Sequence, residues 1–177
     1  MMQDYYSKDA NTKIIGVIWF PGCEVVQVKL SKRLSAVAAM VPEGSVVADI
    51  GTDHGYLPAH LVMSGISPYA IATDVNEGPL AAARNLISLL AIEKRVQLRL
   101  GDGLGPLAPN EAETVVMAGI GASTMIKIME QSPLVLKSVK RLILQPMRGT
   151  PKVRTWLVQH RYRVQPSSRS RGLVCDT

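Results

Sequence analysis

Between Ser45 and Tyr162 the sequence alternates short apolar runs with helical ones, and that alternation leaves few folds open. SVVADIG, SPYAIATDV, RVQLRLGDG, ETVVMA and RLILQP read as strands, giving about five in the core. YLPAHLVMSG, GPLAAARNLISLLAI, GIGASTMIKIME and TPKVRTWLVQHRY read as the helices that follow the first, second, fourth and fifth of them. Strands separated by helices cannot form hairpins, so they pair in parallel through right-handed crossovers. The expected class is α/β, a mostly parallel Rossmann-like sheet with helices on both faces. Helix signals agree: Ser31 is placed to cap LSKRLSAVAAMV, Pro42-Glu43-Gly44 ends it, and Pro79 and Pro151 sit early in their helices. Ahead of this unit, residues 13–30 read as two β-rich runs around a Pro21-Gly22 turn, with no chemistry in them.

At 177 residues the chain is long enough for one domain, and 47% hydrophobic against 19% charged residues exclude disorder. No uncharged apolar run of about 18 residues occurs, so a membrane span is not expected. The start, MMQDYYSKDANTK, has acids and no apolar segment of a secretory signal. Cys23 and Cys175 lie near opposite ends with no CxxC or nearby histidine, so neither a disulfide framework nor a metal site is expected. Two free thiols in the cytoplasm are the simplest reading. Charge is unevenly placed. Residues 31–130 hold seven basic and ten acidic side chains, whereas residues 131–177 hold ten basic and one acidic. A basic third joined to an acidic body points to a polyanionic partner, or to a solvated basic face.

Ligands of a parallel sheet bind at the carboxyl ends of its strands. The first core strand ends in Asp49-Ile50-Gly51-Thr52-Asp53-His54-Gly55, the second in Asp74-Val75-Asn76, the third in Gly101-Asp102-Gly103 and the fourth in Ala118-Gly119-Ile120-Gly121. No GxxxxGK[ST] is present, which excludes a P-loop nucleotidase. Acids at three successive strand ends would repel a pyrophosphate but suit a nucleoside with a sulfonium and an amino-acid end. S-adenosylmethionine fits that field better than a dinucleotide does. Taken singly, each acid could equally be a turn former.

The segment LSKRLSAVAAMVPEGSVVADIGTDHGYLP, followed in order by GDGL, VVMAGIGA and LILQP, resembles the bacterial tRNA (adenine-22-N1)-methyltransferase family. The similarity runs over residues 30–165, the expected S-adenosylmethionine-dependent methyltransferase domain. Residues 1–29 fall outside the family pattern, and residues 166–177, with PSSRSRG, read as a disordered tail. The resemblance implies a class I methyltransferase fold acting on tRNA, and usually a helical C-terminal extension. After Tyr162 neither that extension nor the antiparallel strands that close such sheets are evident.

By resemblance, Asp49 and Gly51 would contact the methionine end of the cofactor, and Asp74, with Val75, the ribose. Asp102 and Gly103 would meet the adenine, and Ala118 and Gly119 would complete the cofactor site. Asp53 and His54 would stand near the target base, unless Asp53 caps the next helix and His54 merely orients the loop. Lys32, Arg33, Lys152 and Arg154 would contact RNA phosphates, with Arg161 and Arg163 extending that basic face. Adenine N1 carries an in-plane lone pair, so methyl transfer to it needs no proton removed first. Transfer to N6 would call for a [DN]-P-P-[YFW] loop where this chain has AGIG, and no cysteine is placed for a covalent pyrimidine adduct. Two other readings stay open: a class I methyltransferase for a small molecule, and a weakly active RNA-binding remnant.

Overall fold

The computed structural model describes residues 15–20, 23–166 and 172–176, with side chains from 28 to 165 and from 172 to 176. The Pro21-Gly22 turn, residues 1–14 and the serine-arginine run at 167–171 lie outside the described residues. The two β-rich runs form an antiparallel pair, β1 (Ile15–Phe20) and β2 (Cys23–Val28), in a sheet of their own. Helix α1 (Lys32–Ala38) begins as expected, with the Leu34 N–H donating to Ser31 Oγ at 3.3 Å.

Then comes the alternation itself: β3 (Val47–Ile50), α2 (Tyr56–Met63), β4 (Ala70–Asp74), α3 (Glu77–Leu89), β5 (Val96–Leu100), β6 (Thr114–Ile120), α4 (Ala122–Gln131), α5 (Pro133–Ser138), β7 (Arg141–Pro146) and α6 (Thr150–Gln159). These five strands are parallel, as the sequence implied. The sheet, however, has seven. β8 (Arg163–Pro166) and β9 (Leu173–Asp176) close it antiparallel, in the order β5-β4-β3-β6-β7-β9-β8.

That corrects the expectation that closing strands are missing, and within the tail expected to be disordered residues 173–176 form a strand. Leu173, Val174 and Cys175 are buried between β7 and β8. Four-residue strands such as RVQP and LVCD are too short to show an alternating pattern, and they are recognisable only once the edge of β7 offers a partner. Burial pushes the Cys175 thiol up to about 12, so it behaves as an inert apolar side chain. Among the described residues no helix is long and apolar enough to cross a membrane.

Side chains alternate along each strand between two apolar layers. Ala48, Ile50, Val115, Met117, Leu142 and Leu144 pack with Met125, Ile128, Val153 and Leu157 of α4 and α6. Val47, Val116 and Ile143 point the other way, onto Val37, Leu57 and Leu61 of α1 and α2. Met117 and Met125 are fully buried in this layer.

One polar cluster pins the loop after β5. Arg99 donates from both terminal nitrogens to Glu111, at 2.5 and 2.7 Å, and from Nη1 to the Pro106 carbonyl at 2.8 Å. Arg99 holds the Glu111 carboxyl down to about 2. A depressed carboxyl contributes stability above its usual pKa of 4.5 and loses it as pH falls toward 2. Arg99→Ala should therefore cost about 1–2 kcal/mol at neutral pH, the lower part of the charge-assisted range for a partly exposed pair. Urea unfolding at pH 7 and near pH 2 checks this: the gap between variant and parent should shrink at the acid end.

Candidate active site

The strand order reverses at β3, which pairs with β4 on one side and β6 on the other. At such a switch point the loops leave in opposite directions and a cleft opens at the carboxyl edge. The loop after β3 is shaped by its backbone. Gly51, Asp53 and Gly55 have φ of 73°, 57° and 74°, three left-handed residues in five. The N–H groups of Gly51 and Thr52 both donate to the Thr73 carbonyl at 2.9 Å, folding the loop back over β4. Gly55 opens α2 at a point where no side chain fits, since a Cβ there would stand 2.9 Å from Ala83 Cβ of α3.

Asp49, next to last in β3, is buried, and that burial raises its carboxyl to about 6, against the pull of Thr52 and the Arg33 charge. Thr52 Oγ1 is close enough to favour the ionised form, yet it is buried without a hydrogen bond of good geometry among the described residues. An orphaned hydroxyl beside a destabilised carboxylate is a polar pair suited to a ligand.

Asp74 ends β4, also buried. Its Oδ1 accepts the Asn76 N–H at 2.9 Å and its Oδ2 the Asp53 N–H at 3.3 Å. Each carboxylate oxygen has two lone pairs, so both remain able to accept from a diol. Val75, next to it, is 62% exposed, an apolar surface at the cleft mouth. From β5, the Gly101 N–H donates to the Asp74 carbonyl at 2.9 Å, which brings exposed Asp102 beside this pair. Gly103 is buried under Ile128 of α4, with its carbonyl accepting from Thr73 Oγ1 at 3.3 Å. Asp49, Gly51, Asp53, Asp74 and Asp102 therefore share one edge.

Asp53 does not cap α2, whose N-cap is Gly55 and has no side-chain cap bond. Its carboxylate instead lies 3.5 Å from His54 Nε2, a loose pair with both side chains well exposed (74% and 46%). The His54 ring tilts over Tyr56 with centroids 5.6 Å apart.

Ala118 and Gly119 lie just before the end of β6 at Ile120, where the pairing with β7 slips by a bulge between Ala118 and Ile120. Of the expected RNA contacts, Lys32 is exposed at the start of α1, and Lys152 and Arg154 are exposed on α6, whose Val153, Trp156 and Leu157 are buried. Arg33 is exposed too, and its Nη1 also donates to Gln145 Oε1 at 2.9 Å. Gln145, buried in β7, was not singled out from the sequence. The signal was an amide directly after the apolar run LIL of RLILQP. The loop after β7 was also missed, with exposed Met147 and Arg148, and it bonds to Ile120 and Ala122 across the cleft edge.

Residues 30–168 match the family described as a methyltransferase domain. The tRNA (adenine(22)-N(1))-methyltransferase of Bacillus subtilis is 38% identical over 136 residues, which are 77% of this chain and 57% of that protein. The crystal structure of that B. subtilis enzyme, TrmK, superposes with a TM-score of 0.74 at 33% identity, covering 84% of this chain and 65% of that one. Streptococcus pneumoniae Sp1610, solved with S-adenosyl-L-methionine, gives a TM-score of 0.77 at 32% identity, covering 84% and 73%. The chain belongs to the tRNA (adenine-22-N1)-methyltransferase family. It spans 57% of the length of the curated B. subtilis relative.

The tight loop at Gly55 gives a test of this geometry. Gly55→Ala meets both the left-handed backbone and the Ala83 contact, so it should destabilise by about 1–3 kcal/mol. Chemical denaturation that finds the variant as stable as the parent would contradict the described packing of the loop on α3.

Proposed function

We propose that this chain transfers a methyl group from S-adenosylmethionine to N1 of an adenine in tRNA. The observation that carries the reading is the buried pair at the switch point, Asp49 with orphaned Thr52 beside the backbone-anchored Asp74. Asp49, buried with little compensation, gains from a cationic amino-acid group. The free lone pairs of Asp74 suit a ribose diol, and exposed Val75 offers an apolar face to an adenine. Gly51 leaves room at the bend, Asp102 is at hand for the adenine amino group, and Gly103, Ala118 and Gly119 complete the walls. S-adenosylmethionine, when bound there, supplies an electrophilic methyl group.

The protein's own part is positioning and charge. An adenine N1 lone pair needs no base, so Asp53 and His54 are proposed to orient the target and to offset the positive charge that forms on it. The exposed and loosely paired state of His54 suits that role better than proton abstraction. Lys32, Lys152 and Arg154 lie outside the carboxylate cluster, where they would meet phosphates. A buried adenine of folded tRNA must be exposed to reach the cleft. A tRNA substrate puts this activity in the cytoplasm.

Incubation of the chain with tRNA and S-adenosylmethionine, followed by mass spectrometry of the nucleosides, tests the reading. It expects 1-methyladenosine, and a methyl on any other base or on none would overturn it. Asp74→Ala should weaken S-adenosylmethionine binding by about 1–3 kcal/mol, read by calorimetry. Affinity should also fall as pH drops through about 6, because protonation of Asp49 removes the charge that the ligand's cation prefers. The double change Lys152→Gln and Arg154→Gln should leave cofactor affinity alone and reduce the salt slope of tRNA binding by about 1–2.

A further inference from the structure

Arg33 starts on the first turn of α1, outside the sheet, yet its guanidinium ends at the tips of β6 and β7. Gln145 Oε1 accepts from Arg33 Nη1 at 2.9 Å and from the Gly119 N–H at 3.2 Å. The Gln145 Nε2 donates to the Pro146 carbonyl at 3.3 Å. That set fixes the amide's sense: turned over, it would present an NH2 group to two donors. Gln145 is 7% exposed, and a buried amide is costly unless it is bonded in this way. Gly119 has a φ of 80°, and a Cβ on it would stand 2.9 Å from Arg33 Nη1. The guanidinium thus fills the space that a side chain at this bulge would need.

This wall lies across the cleft from the β4 and β5 carboxylates, because β6 flanks β3 on the side away from β4. Arg33 also bears on Asp49, whose ionised form its charge favours. One side chain from a helix before the sheet therefore touches β6 and β7 and influences the acid at the end of β3. Arg33 is exposed, but one terminal nitrogen of its guanidinium, Nη1, is held by the Gln145 amide at the end of the sheet.

We propose that Arg33 is a positioning residue for methyl transfer: through Gln145 it holds the bulged Gly119 segment of β6, so that the acceptor base lies in line with the donor. The inference rests on the methyl-transfer reading. It separates from the phosphate role that the sequence suggests for Arg33, since a lysine keeps the charge but ends one bond short of the Nη1 that reaches Gln145.

The test uses the full chain with tRNA and S-adenosylmethionine, and the variants Arg33→Lys, Arg33→Gln, Gln145→Met and the double Arg33→Lys/Gln145→Met. With Arg33→Lys the expected result is a kcat lowered about tenfold or more, as a small misplacement of reacting groups costs. Its KM for tRNA, the salt slope and calorimetric S-adenosylmethionine affinity should stay near the parent's. Gln145→Met should lose a similar factor, and the double variant should be no slower than the slower single one, because both changes cut the same contact. An Arg33→Lys chain with parental kcat would overturn the proposal. So would losses that multiply in the double variant, or a loss of cofactor binding that reduces the effect to folding. Parental kcat in Arg33→Gln, with a raised KM and a salt slope lowered by about 1, would return Arg33 to phosphate binding. If the parent itself methylates no tRNA while binding the cofactor, the functional reading fails first and the inference falls with it.

Discussion

The cleft exists because β3 pairs on both sides, with β4 through Ala48 and Ile71 and with β6 through Ala48 and Val115. All four β3 residues are buried, so the strand is held from both faces as well as from both edges. The chain after it must turn sharply, and it does so at Gly51, Asp53 and Gly55. Asp49 is carried to the bottom of the opening by this strand and kept there by burial. Were β3 an edge strand, the same acid would be solvated and unremarkable.

Charge is arranged around that opening by half. Asp49, Asp53, Asp74 and Asp102 follow β3, β4 and β5, while Lys32 and Arg33 on α1 and Arg148, Lys152 and Arg154 after β7 lie toward the other half. A cationic sulfonium nucleoside and a polyanionic RNA make opposite demands on a field, and a divided edge can meet both. Asp49 and Asp74 are buried, and Asp74 is bound by backbone N–H groups, whereas Lys32, Lys152 and Arg154 stand exposed. Arg33 is the point where the two halves touch, with its Nη1 on Gln145 and its charge bearing on Asp49.

Much of this was legible in the sequence because periodic pattern and loop chemistry report the same thing. The parallel strands, the Ser31 cap and the acids at the strand ends follow from local residue choice. What stayed hidden depends on partners distant in sequence. β8 and β9 acquire strand character only against β7, and Gln145 acquires meaning only when Arg33, 112 positions earlier, reaches it. Asp53 was legible as a cleft residue but not as a left-handed one, since its φ is imposed by the loop around it. Arg33 reads as a surface cation in LSKRL, and no local rule distinguishes it from Lys32.

The half of the carboxyl edge after β3, β4 and β5 is proposed to take the sulfonium nucleoside. Titration of the ¹⁵N-labelled chain with S-adenosylhomocysteine, followed by amide chemical shifts, reads this most directly. Large shifts are expected at Gly51 to Gly55, at Asp74 to Asn76 and at Gly101 to Leu104. Quiet amides are expected at the opposite edge, around Gly44, Ser45 and Arg141. Shifts centred on that opposite edge, or none at saturating ligand, would contradict this placement.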